Sequence, residues 1–323
     1  MIRERLNELG KAREPFLFII DFEQNKPIIL KLKDIIQDDI LYDFQGVRNY
    51  KAEKTSKPTG FFKKWPVERR SYDEGFSYVM QQLKYGNSYL LNLTYPARID
   101  TSFSLQEIFR YSTAPYKLWV KDNFVVFSPE TFIRIQGNTI LSYPMKGTID
   151  AGIPDAADII THNIKEKAEH ATIVDLIRND MSIVAQKVVV NRFRYLETVN
   201  THEKSLIQVS SEISGKLPIN WHEQTGDILT AMLPAGSISG APKKKTIEII
   251  KKAEQYIRGY YTGIAGLYDG NGLESFVMIR YIEKNGAQLW FKSGGGITAF
   301  SNVADEYNEL IDKIYLPFQF YEK

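Results

Sequence analysis

Near its C-terminal end the chain carries three β-prone runs in close succession, at residues 261–268, 274–283 and 288–293. They are rich in β-branched and aromatic residues and read as antiparallel strands. Earlier runs at 88–96, 117–127, 132–135 and 188–195 have the same character. Helical patterns fall between them. Ser71 and Glu74 have capping-box spacing, with Phe76, Val79, Met80 and Leu83 following at helical intervals, which predicts a helix over 72–85 ended by Gly86. A second helix is expected over 163–178. A third is opened by Pro242 at the first helical position and runs to about 257, ending at Gly259, and the last begins near Val303. Antiparallel strands with interspersed helices predict an α+β fold rather than a regular βαβ series.

No linker rich in Pro, Gly or Ser divides residues 72–323, so 71–323 is expected to be one folding unit, with 1–70 an accessory layer packed on it. The basic, turn-rich segment 51–64 reads as a mobile loop. Hydrophobic residues make up 43% and charged residues 25% of the 323, the proportions of an ordinary globular protein. A net charge of +2 gives no sign of a nucleic-acid partner. The sequence has no cysteine, which excludes disulfides, zinc–thiolate sites and a cysteine nucleophile. No stretch approaches the ~20 apolar residues of a membrane span. The expectation is a soluble, cytoplasmic protein.

Several constellations can carry chemistry. Glu166 and Glu169 are three apart on one predicted helix, and Glu306 and Glu309 repeat that spacing on the last. Four carboxylates from two helices suit a hard ion such as Mg²⁺; the same spacing also describes a solvated acidic face. Gly294, Gly295 and Gly296 follow a strand and let backbone N–H groups approach an anion, although a tight turn is the more common explanation of such a run. The small-residue run 234–243, which includes Ser239, leads into a helix N-terminus with free N–H donors, where a substrate carboxylate or a plain N-cap would fit. Arg280 ends the apolar run 276–279 and can clamp a carboxylate or serve a structural ion pair. Glu130 and Lys146 lie sixteen residues apart in sequence. A strand–turn–strand would bring them together as a general acid and an amine nucleophile.

Taken in order, these segments resemble the chorismate-utilising enzymes: anthranilate, aminodeoxychorismate, isochorismate and salicylate synthases. The resemblance rests on Ser128-Pro129-Glu130, PMKGT (144–148), KAEHATIVDLIRND (167–180), SSEISGKL (210–217) and LPAGSISGAPKKKTIEII (233–250). It continues through RGYYTGIAGLYDGNG (258–272), FVMIRY (276–281), GGGI (294–297) and DEYNELIDK (305–313). The segment 86–94 matches more loosely. It implies two large, mostly antiparallel sheets packed together with helices outside, a four-layer α/β/β/α sandwich. Within the family, lysine before Gly147 is typical of aminodeoxychorismate synthases and alanine of anthranilate and isochorismate synthases. Here it is Lys146. Leu90 stands where water-adding members carry a lysine base.

The resemblance implies that Mg²⁺, held by Glu166, Glu169, Glu306 and Glu309, binds the ring carboxylate of chorismate. Tyr261, Arg280 and the backbone at Gly294, Gly295 and Gly296 would hold the enolpyruvyl group, with Ser239, Gln208 and Lys313 as further substrate contacts. Lys146 would attack C2 as its neutral amine, a form that desolvation favours. Glu130 would protonate the leaving C4 hydroxyl, and Thr148 would orient the reacting hydroxyl or the ring. Ammonia from a separate glutamine amidotransferase subunit would give 4-amino-4-deoxychorismate, the precursor of 4-aminobenzoate and folate. Anthranilate synthesis and a non-catalytic glutaminase-binding scaffold are the alternatives. The chain departs from the family pattern at Gln208, where histidine is frequent, at Leu90, Ile149, Asp150, Asn308 and Leu310, and in an N-terminal part short enough that a tryptophan pocket is expected to be missing or reduced.

Overall fold

The structure, a computed structural model, describes residues 2–52, 56–200 and 205–322. Its framework is a pair of nine-stranded sheets in which every strand pairing is antiparallel. One sheet runs from Met145–Asp150 through Ser205–Lys216, Thr139–Ser142, Thr131–Gln136, Leu273–Val277, Ile264–Tyr268 and Phe16–Ile20 to Ile28–Lys31, with Gln186–Asn200 also paired to Ser205–Lys216. The other runs from Gly240–Ala241 through Leu90–Thr101, Gln288–Thr298, Tyr281–Asn285, Phe124–Ser128, Tyr116–Val120 and Ile40–Phe44 to Val47–Arg48, with Phe62–Trp65 also paired to Leu90–Thr101.

Alternation along the strands makes the layers. In Phe16–Ile20 all five residues are buried, because both faces of the strand are covered. Leu17 and Ile19 face the second sheet, packing among Tyr42, Phe44, Tyr116 and Phe276. Phe16, Phe18 and Ile20 face outward, onto a cluster with Leu6, Leu9, Val174, Met181 and Ile228 from helices. On the far side of the second sheet, Leu91, Leu93, Phe127 and Phe291 meet Phe76, Val79, Ile249, Ile250 and Leu310, again from helices. Three apolar layers therefore separate helix, sheet, sheet and helix, which is the expected four-layer arrangement. The first 70 residues supply strands to both sheets.

Local readings change where tertiary packing intervenes. Residues 274–283 form two strands in different sheets. Leu273–Val277 lies in the first and Tyr281–Asn285 in the second, and the chain crosses between them at Met278, Ile279 and Arg280. The run stays apolar because it never leaves the interior, so hydrophobicity carries no mark of the crossing. Residues 117–127 divide at a turn containing Asp122 (φ 53°), giving Tyr116–Val120 and Phe124–Ser128. Helix Arg69–Lys84 starts before Ser71, so Ser71 and Glu74 are not its cap; the capping box forms at Ser104 and Glu107 instead. Pro242 is the N-cap residue of Lys243–Glu254, which ends at left-handed Gln255 rather than at Gly259. The expected mobile segment 51–64 lies partly outside the described residues, and its later part forms the strands Thr59–Gly60 and Phe62–Trp65. The glycines 294–296 continue the strand Gln288–Thr298.

Phe276 is fully buried between the sheets, stacked on Tyr116 and edge-on to Phe44. Truncating it leaves a cavity that two rigid sheets cannot close. Phe276→Ala is expected to lower the unfolding free energy by about 3–5 kcal/mol, read from the urea midpoint at unchanged m-value.

Candidate active site

A buried ion pair sets out the site. Glu254 and Arg258 are side by side at 2.6 Å, each side chain about 1% exposed. Strand Leu90–Thr101 pairs at one end with Gly240–Ala241 and at the other with Phe62–Trp65, which leaves a gap along that edge. The ion pair fills it. Glu254 Oε1 accepts from the Thr94 backbone N–H at 2.9 Å, and Arg258 Nη2 donates to the Asn92 carbonyl at 2.7 Å. Arg258 Nη1 also donates to the Ile238 carbonyl at 3.0 Å. One pair of side chains thus satisfies backbone groups that would otherwise be orphaned in the interior, and it ties strand, helix and the 234–242 connection together.

Next to this anchor is a cavity of about 1280 Å³. Glu130, Lys146, Thr148, Glu166, Glu169, Gln208, Tyr261, Arg280, Gly294, Gly295, Gly296, Glu309 and Lys313 all line it. Two expected site residues do not. Ser239 is fully buried and its hydroxyl donates to the Ala235 carbonyl, because the one-turn helix Gly236–Ser239 points it away. Glu306 is 7% exposed and accepts from Ser301 Oγ at 2.7 Å, beside Glu309 on the glycine strand but outside the cavity lining. Among the polar lining residues not expected in the site are Ser237, Asn92 and Asp180. Ser237 donates to Glu130 Oε1, and Asp180 pairs with Lys243 at 3.0 Å. The run 234–243 pointed to the right segment, but which serine faces inward depends on a single helical turn that composition does not mark.

Backbone geometry explains several of these positions. Gly147 has φ 91°, and a Cβ there would come within 3.1 Å of Glu166 Oε2. Glycine is required both for the left-handed conformation and for the carboxylate's approach. A Cβ on Gly295 would meet Glu306 Oε2 at 3.3 Å and Glu309 Oε1 at 3.7 Å, so the last helix lies directly on the glycine strand. Arg280 takes a left-handed φ of 56° at the crossing between the sheets, where its carbonyl accepts from Phe127 N.

Charges divide the cavity. Lys146 Nζ is 3.0 Å from Glu169 Oε2. Burial alone would lower the Lys146 pKa, but Glu169, with Glu309 and Glu166 beyond it, outweighs burial and raises it. The expectation that desolvation would favour the neutral amine is therefore reversed, because the half-buried lysine sits among carboxylates and not in an apolar pocket. Glu130 behaves as expected. Enclosure by the protein raises its pKa, against the Ser237 hydrogen bond and the charges of Arg280 and Lys313. Lys313 donates to the Gly294 carbonyl at 2.9 Å and pairs with Glu309 at 2.5 Å. Burial lowers the Lys313 pKa, and the lysine in turn helps to hold the Glu309 carboxyl below its usual value.

A family model described as chorismate binding enzyme matches residues 23–318. The chain belongs to the chorismate binding enzyme family. It is 51% identical over 316 residues to a PabA-like protein of Haemophilus influenzae, covering 98% of this chain and 96% of that one. It is 31% identical to aminodeoxychorismate synthase component 1 of Bacillus subtilis, over 75% of this chain and 54% of the relative. Anthranilate synthase component 1 of Archaeoglobus fulgidus is 30% identical, over 92% and 69%. The menaquinone-specific isochorismate synthase of Escherichia coli shares the fold, with a TM-score of 0.72 at 14% identity, over 96% of this chain and 79% of that one. Within this family, relatives of nearly equal similarity run different reactions, so the site residues have to distinguish among them. Among the described residues no helix is long and apolar enough to cross a membrane.

For a chorismate binding enzyme the donor set bears on metal. Carboxylates are the donors a hard dication takes. Glu166 Oε2 is buried with no hydrogen-bond partner, as an oxygen awaiting a cation would be. Among the described residues no three carboxylate or imidazole groups converge into a coordination cluster, and Lys146 and Lys313 pair with Glu169 and Glu309. The residues suit Mg²⁺ in kind, with two ammonium groups sharing the same oxygens.

Removing one member of the buried Glu254–Arg258 pair strands the other charge. Glu254→Gln is expected to cost about 3–5 kcal/mol in urea denaturation, while replacing both residues by apolar ones of similar size costs less.

Proposed function

We propose that this chain makes 4-amino-4-deoxychorismate from chorismate and ammonia. The observation that carries the reading is Lys146, the residue typical of aminodeoxychorismate synthases, lining one cavity with Glu130. Leu90 lines the same cavity and offers no base to activate water. Tyr261, Arg280 and the glycine strand suit an anionic enolpyruvyl group, the guanidinium by charge and the glycines by leaving backbone accessible.

Lys146 is an ammonium while paired with Glu169 and must shed a proton before it attacks C2; the Glu169 carboxylate at 3.0 Å is within reach to receive it. Enclosure favours the protonated form of Glu130, which would pass its proton to the C4 hydroxyl, the hydroxyl leaving as water with the C–O bond pair. Ammonia then adds at C4 as the C2 amine departs, returning Lys146. Mg²⁺, when bound by Glu166, Glu169 and Glu309, the three expected carboxylate ligands that line the cavity, would neutralise the ring carboxylate of chorismate. Ammonia would come from a separate glutamine amidotransferase, because the chain has no cysteine for glutamine hydrolysis. The product would feed synthesis of 4-aminobenzoate and folate.

Purified protein given chorismate, Mg²⁺ and an ammonium salt, followed by a lyase, is expected to yield 4-aminobenzoate. Lys146→Ala is expected to lower that yield by roughly three orders of magnitude. Anthranilate in place of 4-aminobenzoate would overturn the reading. Chorismate left unconsumed by wild-type and variant alike would favour a glutaminase-binding scaffold.

A further inference from the structure

We propose that Ser237 is a positioning residue: its hydroxyl holds one oxygen of the Glu130 carboxyl so that the other, which carries the proton, faces the substrate. The inference rests on the reaction proposed above for Glu130 as acid. Ser237 Oγ donates to Glu130 Oε1. The Glu130 backbone is already held, since its N–H donates to Ser128 Oγ at 3.1 Å and its carbonyl accepts from Val277 N at 3.0 Å. Those bonds fix where the side chain starts and leave its torsions free. The serine is the contact that selects one carboxyl orientation.

The serine is itself rigidly placed. It sits on the one-turn helix Gly236–Ser239, whose Ile238 carbonyl is gripped by Arg258. A Cβ on Gly236 would come within 2.8 Å of Asp180 Oδ2 and 3.0 Å of Leu176 Cγ, so the turn is pressed against the long helix Ile164–Ser182. A donor held this firmly costs little further entropy when the carboxyl binds it. With Oε1 accepting from the serine, the acidic proton resides on Oε2. On transfer the Oε2–H bond breaks, the proton joins the departing oxygen, and that oxygen takes the C–O pair. The carboxylate left behind keeps the serine bond and gains strength from it, since a hydrogen bond to a charged acceptor is about twice as strong as a neutral one. Arg280, Lys313 and Tyr261 are the other titratable or charged groups acting on Glu130.

Steady-state kinetics of Ser237→Ala and Ser237→Thr test the assignment. Ser237→Ala is expected to lower kcat about tenfold to a hundredfold with KM within twofold, a fraction of what the general acid itself contributes. Because the serine bond favours the charged carboxylate, its loss should also move the basic limb of the kcat–pH profile upward. Ser237→Thr keeps the hydroxyl and should restore both. An unchanged kcat and profile, or a rise in KM alone, would overturn the proposal, the latter making Ser237 a plain substrate contact. A readout free of chorismate separates this from the reaction assignment. The infrared carboxyl band of Glu130, identified by its loss in Glu130→Gln, should titrate at higher pH in Ser237→Ala than in wild type; an unshifted band refutes the contact. Wild-type protein that makes no 4-amino-4-deoxychorismate while the band does shift would remove the reaction assignment and keep the Ser237–Glu130 contact.

Discussion

Everything around the cavity depends on one buried ion pair. Glu254 and Arg258 occupy the edge gap of strand Leu90–Thr101, where no neighbouring strand satisfies the backbone. A buried pair of this kind adds little net stability over an apolar substitute, because desolvation cancels most of the attraction. Its worth lies in directionality. The guanidinium reaches the Asn92 and Ile238 carbonyls at once and so fixes how far helix, strand and connection stand apart. Lys292 extends the arrangement by donating to the Arg258 carbonyl at 2.8 Å and to Glu283 at 2.8 Å. The backbone groups of this strand edge are thus engaged at the point where an open pocket would otherwise weaken the fold.

The second constraint is the sheet-to-sheet crossing at residues 278–280. Two stacked sheets leave few places for a charged side chain between them. A strand that changes sheet must break its ladder, and the break opens space at the strand ends. Arg280 sits there in a left-handed conformation, between the Glu130 turn and the end of the last helix. The glycine strand forms the opposite wall, with Glu309 and Lys313 reached over its bare backbone. Five carboxylates (Glu130, Glu166, Glu169, Asp180 and Glu309) and two lysines line this volume; burial decides the direction at Glu130 and Lys313, while the carboxylate neighbours prevail at Lys146. Lys146 is the clear case, since it is half-buried and the Glu169 carboxylate 3.0 Å away favours its charged form.

Much of the fold was legible in the sequence. Strand runs such as 132–135 and 188–195, the helix around 163–178 and the helix from Val303 all have the right kind and nearly the right place. The candidate site residues came mostly from ordered motifs, and the cavity gathers nearly all of them. Errors share a physical origin. Ser71 and Glu74 satisfy a spacing rule, but the helix starts at Arg69, before them, with Glu68 as its N-cap residue. The run 274–283 had uniform apolar character, which is equally consistent with one strand or with two in stacked sheets. The run 234–243 places Ser237 and Ser239 alike near the site, because a string of small residues does not reveal which side of a single turn faces the cavity.

The sequence by itself determined the chemistry available: acids, lysines, an arginine and glycines in fixed order, with no cysteine. It also determined the alternation that buries both faces of strands such as Phe16–Ile20. Only the tertiary structure decided which groups share a field. Glu169 reached Lys146 from a helix, Glu130 met Ser237 in a direct hydrogen bond, and Glu306 turned to Ser301 outside the cavity lining. The reason is that electrostatic and hydrogen-bond energies depend on separations of a few ångströms between residues far apart in the chain. Local pattern is blind to those separations until the sheets are stacked.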